Sequence, residues 1–355
     1  MPVPDQRDPE VTRSVLERWL SRHLPGVRVT HLATPQASGF SNETLLFDAE
    51  HEGVTEALVV RVAPHHYQVF PDPRFEEQYR LMRILDERTG IPVPPIRWYE
   101  PTSDDLGAPF FVMGRIEGQV PSDMPPYHQS GWVAEISRDE RAAMWWSTLE
   151  LMAELHRLDV GEYDLGFLDQ PSWGATGIEQ RLGYYESYLH WAYPGPQPTA
   201  LAALEWLRAN TPPEPPDPVA LWGDSRIGNV IFSGGVPMAV LDWEIATLGQ
   251  PEEDLAWFLF LDRHHSEGIG VPRLAGFPSP EETIARYEEL LGRPMRDMAF
   301  YEVLSGFKFS VVMARIGQAM IDFDWIEQAN DFPYNNNCTQ LLAKILGLPA
   351  PSEAL

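Results

Sequence analysis

Residues 221–244, LWGDSRIGNVIFSGGVPMAVLDWE, constrain the chain more than any other stretch. An apolar run at residues 230–232 stops at a Ser-Gly-Gly turn signal, and a second apolar run follows, which predicts a β-hairpin. Asp224 and Asn229 precede the first strand, and Asp242 follows the second. We therefore expect these three polar side chains to meet at one edge of the hairpin.

Asp224, Asn229 and Asp242 have side chains that suit phosphoryl transfer. A carboxylate can accept the proton of an attacking hydroxyl, while a carboxamide and a second carboxylate offer hard oxygen ligands to Mg²⁺. Protein kinases assign these roles to a catalytic-loop Asp, an Asn and a second Asp. Asp224 is thus the candidate catalytic base, and Asn229 and Asp242 are the candidate metal ligands.

The same stretch resembles the aminoglycoside phosphotransferase and choline kinase family, whose catalytic loop reads His-Gly-Asp, four residues, Asn. Here Trp222 replaces the His, and Asn229 keeps its spacing. Residues 249–256 match the family's Gly-x-Pro-x-x-Asp-Leu-Ala, and the match implies that Asp254 braces the catalytic loop. The resemblance extends to a bacterial branch related to the kinase-like domain attached to some acyl-CoA dehydrogenases.

The resemblance implies an α+β fold with two lobes like those of protein kinases. A small mixed-sheet, nucleotide-binding lobe would cover residues 1–114, and a mostly helical lobe with the catalytic loop and acceptor site would cover residues 115–355. ATP with Mg²⁺ is expected in the cleft, and its γ-phosphate would pass to a hydroxyl of a small molecule. Arg226 aligns with the catalytic-loop Lys of kinases, so it would contact the γ-phosphate or act as a structural brace.

A small turn between two strand-like segments is the candidate phosphate cover, because backbone N–H groups of such a turn can bind phosphate oxygens. Taken alone, a turn with one glycine is more typical of an ordinary hairpin loop, and it is the context of the other motifs that favours the phosphate cover. The four residues assigned to it are Ser38, Gly39, Phe40 and Ser41.

Three further candidates would bind the nucleotide. Arg61 lies between apolar residues of a predicted strand and could bind phosphate through two N–H groups, although a salt bridge at the sheet rim is the alternative. The family pairs this cation with a helix Glu, but the aligned residue here is Gln78, which puts the ion pair in doubt. The resemblance places the adenine-contacting hinge at Met113 and Arg115, where backbone atoms would make the contacts.

Composition limits the partners and the compartment. The net charge of −26, from 26 basic and 52 acidic residues, argues against nucleic acid and anionic membranes as partners. The first residues show no signal-peptide pattern, and no run approaches the roughly 20 apolar residues of a membrane span. Together with a single cysteine, Cys338, these features predict a cytoplasmic protein.

The acceptor is expected to bind near residues 173–193, where six aromatic residues are either core or one wall of a pocket. This segment offers Glu179 and Glu186 as acids, so it suits a largely uncharged hydroxyl compound better than a polycationic aminoglycoside. The alternative to an enzyme is a nucleotide-binding pseudokinase or scaffold without turnover. Gln78 and Trp222 favour that alternative, whereas the Asp and Asn residues of the loop favour the enzyme.

Overall fold

The computed structural model describes residues 7–35, 42–64, 67–215 and 217–353. The chain divides into two units, Met1–Glu117 and Gly118–Leu355. The expected boundary at residue 114 falls within the last residues of the first unit, and the roles assigned to the two parts stay predictions.

The first unit is built on a five-stranded sheet of order β1-β2-β3-β5-β4. All its pairings are antiparallel, so it is not the mixed sheet predicted. The reason is local: β2 and β3 are joined by Glu52-Gly53, both with positive φ, a turn that returns the chain antiparallel. The strands are β1 (Arg28–Ala33), β2 (Glu43–His51), β3 (Val54–Val62), β4 (Ile96–Glu100) and β5 (Phe110–Gly114).

Two helices accompany this sheet. Helix α1 (Pro9–Leu20) begins where the Asp8 side chain accepts backbone N–H groups, and it buries Trp19. Helix α2 (Phe75–Arg88) contacts β5 through Phe75 and Phe111, whose ring centroids lie 5.2 Å apart. Because Phe111 is the cross-strand partner of Arg61, α2 covers the sheet beside that cation.

The second unit is mostly helical. Ser137, Thr176 and Ser279 start three of its helices with capping boxes, each closed by a Glu three residues later. The helices are α3 (Trp132–Glu135), α4 (Arg138–His156), α5 (Gly177–Ala192), α6 (Pro198–Ala209), α7 (Pro251–His264), α8 (Pro280–Leu291), α9 (Met298–Asp322) and α10 (Asn337–Leu346). Over the described ranges, no helix combines the length and apolar character needed to cross a membrane.

Two small antiparallel sheets lie between the helices of this unit. Strand β6 (Val219–Leu221) pairs with β9 (Thr247–Gly249), and β7 (Val230–Ser233) pairs with β8 (Val236–Val240). The second pair is the predicted hairpin, which the structure confirms. Helix α7 follows β9 directly, is buried along most of its length and packs against α9. The core of the unit therefore lies directly behind the loop that joins β6 to β7.

Candidate active site

The loop after β6 makes a sharp turn at Gly223. Its φ of +88° is a conformation that favours glycine, and a Cβ there would lie 2.3 Å from the Ile245 carbonyl oxygen. The chain can therefore place Asp224 beside the strands only because this position has no side chain.

Asp254, at the start of α7, holds the backbone of this loop. Its side chain is fully buried, and its carboxylate accepts the N–H groups of Trp222 and Gly223 at 2.7 and 2.9 Å. His156 Nε2 contacts the same carboxylate at 2.9 Å, and Ser225 Oγ donates to the Asp254 carbonyl. The bracing role predicted for Asp254 is confirmed by these contacts.

The Asp224 carboxylate is fixed by three donors. Its Oδ2 accepts Asn229 Nδ2 at 2.6 Å and Arg226 Nε at 3.2 Å. Its Oδ1 accepts the indole N–H of Trp257, from α7, at 2.8 Å. The side chain keeps 20% of its surface exposed, so part of the carboxylate remains open to solvent.

Arg226 lies between two carboxylates. In addition to Asp224, it donates from Nη1 to Asp123 Oδ2 at 2.6 Å. Burial opposes the charge of the guanidinium, but Asp123 and Asp224 outweigh that effect and raise the pKa of Arg226. Burial alone would raise the pKa of Asp123, yet Arg226 and His265 hold it below its ordinary value. Arg226 thus acts as a brace in this structure, and a γ-phosphate contact through its remaining nitrogen stays a prediction.

The two candidate metal ligands lie at the open end of the hairpin. Leu241 N–H donates to the Asn229 carbonyl oxygen at 2.8 Å, which brings Asp242 next to Asn229. Both hydrogen bonds described for the Asn229 side chain use Nδ2, as the Asp224 carboxylate requires a donor there. Oδ1 of Asn229 is therefore the atom available to a cation. Asp242 has a φ of +63°, an unfavourable backbone conformation that clusters at functional sites.

Trp222, which replaces the family His, also supports this end of the hairpin. Its indole N–H donates to the Leu241 carbonyl at 2.8 Å, and its ring packs 5.8 Å from that of Trp243. Trp222 therefore donates a hydrogen bond to the peptide that precedes Asp242.

The first unit contains the residues predicted to bind the nucleotide. Ser38, Gly39, Phe40 and Ser41 lie outside the described residues. Arg61 lies in β3, where it pairs with Thr44 of β2 and Phe111 of β5.

Met113 lies in β5 and Arg115 follows that strand directly, and their hinge role stays a prediction. Met113 pairs with Val59 in the sheet. The Arg115 N–H donates to the Ala57 carbonyl at 2.9 Å, and its side chain forms an ion pair with Asp48 at 3.1 Å. The Arg115 N–H is therefore already used, and an adenine contact there would depend on other backbone atoms.

Half of the aromatic residues expected at the acceptor belong to the core. Tyr184, Tyr185 and Tyr188 are buried, whereas Trp173 and Trp191 are 38% and 40% exposed and Tyr193 is partly exposed. The two tryptophans present the most surface for a pocket wall.

Two residues near Asp224 were missed by sequence reasoning. Asp123 comes from a loop about a hundred residues away, and no local pattern marks it. Trp257 could have been found, because it follows the brace Asp254 by three residues and such spacing shares one helix face. No group of three or more His, Cys, Asp or Glu suited to a metal ion occurs among the residues that the structure describes.

Comparisons with known proteins extend to most of the chain. A model described as a phosphotransferase enzyme family matches residues 33–298. Acyl-CoA dehydrogenase family member 11 of Rattus norvegicus is 28% identical over 314 residues, which cover 83% of this chain and 38% of that protein. The Gallus gallus counterpart is 29% identical over 323 residues, covering 86% and 39%. The chain thus spans well under half the length of these relatives.

Solved structures are similar over nearly the whole chain. A candidate aminoglycoside phosphotransferase from Ralstonia eutropha has a TM-score of 0.70 at 24% identity and covers 94% of this chain and 98% of its own. Aminoglycoside phosphotransferase APH(4)-Ia, in a ternary complex with ADP and hygromycin B, has a TM-score of 0.58 at 16% identity with the same coverage. These likenesses confirm the predicted two-lobed, protein-kinase-like α+β fold. Because the family model covers more than half of the sequence, the chain belongs to the phosphotransferase enzyme family.

Proposed function

We propose that this protein transfers the γ-phosphate of ATP, with Mg²⁺, to a hydroxyl group of a small molecule. The observation that carries the proposal is the meeting of Asp224, Asn229 and Asp242 at one end of the hairpin, with Asn229 Oδ1 turned away from Asp224. The ADP in one structural neighbour and the GDP in another support nucleotide use.

In the proposed reaction, Asp224 accepts the proton of the substrate hydroxyl while the hydroxyl oxygen bonds to the γ-phosphorus. The bond from that phosphorus to the β-phosphate oxygen breaks, giving a phosphate ester, ADP and a proton that leaves through Asp224. Asn229 and Asp242 would hold Mg²⁺ together with phosphate oxygens, which fits a cation that takes few protein ligands. Bound there, the ion would neutralise charge on the phosphates.

The nucleotide would be held by Arg61, by the backbone at Met113 and Arg115, and by residues 38–41. The alternative, a nucleotide-binding pseudokinase, draws support from Gln78, which cannot form an ion pair with Arg61. Magnesium-dependent ATP hydrolysis by the wild type separates the two, because a scaffold has no turnover.

The acceptor we propose is largely uncharged. Glu179 is engaged by the backbone N–H groups at the start of α5, and Glu186 pairs with Arg208. Neither acid is then free to meet an ammonium group, which is costly to bury without a partner. The binding of hygromycin B is a property of the structural neighbour that contains it.

Two variants test the function. Asp224→Asn should bind MgATP like the wild type in calorimetry but lower turnover by roughly 10²–10⁴, the range for loss of a general base. Asp242→Ala should lose most MgATP affinity, because a ligand of the cation is gone. Turnover is followed with a panel of kanamycin-type drugs, choline-like alcohols and hydroxyacyl thioesters.

Equal MgATP affinity in wild type and Asp242→Ala would contradict the metal assignment. Near-normal turnover in Asp224→Asn would remove the base assignment. Efficient turnover of kanamycin would contradict the uncharged acceptor while leaving the reaction type standing.

A further inference from the structure

The hydrogen bonds at Asp224 leave one of its oxygens partly open. A carboxylate offers about four lone-pair positions on its two oxygens. Asn229 and Arg226 occupy both positions on Oδ2, and Trp257 occupies one position on Oδ1. The remaining position lies on Oδ1, so the oxygen that can take a substrate proton is the oxygen that Trp257 holds.

The indole of Trp257 is itself held on its face and at its edge. Lys308 Nζ lies 4.8 Å from the ring centroid, a cation–π contact, and pairs with Glu253 at 2.7 Å. Phe309 packs against the ring edge-on at 5.8 Å. Trp257 and Lys308 are each 3% exposed. The N–H group therefore has a fixed direction that does not depend on a bound substrate.

Helix α7 thus supports the catalytic loop at two levels. Asp254 accepts the loop's backbone N–H groups, and Trp257, one turn later on the same face, donates to its carboxylate. The first contact places the backbone of Asp224, but it does not restrict rotation of the Asp224 side chain. The second contact does, because rotating the carboxylate would break the hydrogen bond to Trp257.

We propose that Trp257 is a positioning residue for the catalytic carboxylate: Asn229 and Arg226 hold Oδ2, and Trp257 holds Oδ1 so that the open position of that oxygen faces the substrate hydroxyl. The inference rests on the proposed phosphotransferase function and adds a residue to it. A hydrogen bond from a neutral donor to a charged acceptor is stronger than one between neutral groups. Its loss should therefore lower the rate of proton transfer more than it lowers nucleotide binding.

The test is Trp257→Phe, which keeps an aromatic ring and removes the donor. We expect kcat for magnesium-dependent ATP hydrolysis, with water in place of the acceptor, to fall roughly 10- to 100-fold. The KM for MgATP should stay within about twofold, because Trp257 touches none of the residues assigned to the nucleotide. Crystal structures of the variant should show the Asp224 carboxylate rotated.

Trp145→Phe is the matched control. Trp145 is as buried as Trp257 and donates its indole N–H at 2.9 Å to Thr283, a neutral hydroxyl outside the site. The control should keep its kcat and the wild-type orientation of Asp224. A Trp257→Phe enzyme with wild-type kcat, or an equal loss in both variants, would overturn the positioning role and leave the proposed function intact. If the wild type has no turnover at all, the proposed function fails, and an unrotated Asp224 in the Trp257→Phe crystal overturns the positioning role separately.

Discussion

Two buried polar side chains, one in each unit, have opposite surroundings. Asp254 in the second unit is fully buried and its carboxylate meets three hydrogen-bonding groups. Gln78 in the first unit is 2% exposed, and both polar atoms of its side chain lack a hydrogen-bond partner within the described ranges. Because an unsatisfied buried polar group costs stability, the first arrangement stabilises the resting protein and the second destabilises it.

The largest expected effect comes from breaking the satisfied site. In Asp254→Asn, the new NH₂ group would face backbone N–H donors, so we expect the free energy of unfolding to fall by about 3 kcal/mol and turnover to be nearly lost. Denaturant unfolding and the ATPase assay measure both. Asp322→Asn, on the exposed end of α9 and bonded to Gln318, should change stability by less than about 0.5 kcal/mol. Similar stability losses in the two variants would contradict the role given to Asp254.

The same contrast explains what could be predicted from the sequence. The hairpin and the Asp224, Asn229 and Asp242 stations follow from strand patterns and a glycine turn, which are local signals. Asp123 depends on a contact between distant segments, so composition and spacing carry no trace of it. Trp222 departs from the family pattern, yet its N–H donates to the Leu241 carbonyl beside Asp242, a contact between distant residues that only the folded geometry reveals.

The sequence of the aromatic segment is compatible with two interpretations. Tyrosines at helical spacing suit both a core and a pocket wall, and burial against α9, as between Tyr185 and Phe307, decides for the core. The sheet was predicted as mixed because strand pairing direction depends on the connections. The short turn at Glu52-Gly53 could have indicated the antiparallel arrangement.

His264, at the end of α7, is an unsatisfied group within the better-satisfied unit, since its buried Nδ1 has no described hydrogen-bond partner. Burial and the neighbouring His265, partly offset by Asp123, lower the pKa of His264 to about 3. The unfolded chain has a His pKa near 6.5 and therefore binds a proton more readily than the folded protein does. The stability that neutral His264 contributes is complete above pH 6.5 and is lost as the pH falls below that value.

Between pH 7.5 and 5.5 the wild type should therefore lose about 1.4 kcal/mol of stability through this residue. His264→Asn should remove that part of the pH dependence, as measured by urea unfolding at both values. His190→Asn, on α5 and exposed, is the control and should keep the wild-type slope. An unchanged slope in His264→Asn would show that His264 is not the group responsible.

The smallest expected effect is a gain of stability, and it tests the unsatisfied amide of Gln78 directly. Gln78→Met keeps the length of the side chain and removes two unsatisfied polar atoms, so we expect stability to rise by about 1 kcal/mol. Gln180, at 3% exposure in α5, is the matched control, because its amide donates to Asp169 at 2.8 Å and accepts the Gln170 N–H at 3.1 Å. The same substitution there should lower stability by about 1–3 kcal/mol, since Asp169 loses its donor.

Thermal unfolding of the two variants without nucleotide measures the difference. A loss of stability in Gln78→Met would contradict the destabilising role given to the buried amide. MgATP affinity of the same variant separates two roles for Gln78. Unchanged affinity would indicate a purely structural role, and lowered affinity would indicate a role in nucleotide binding.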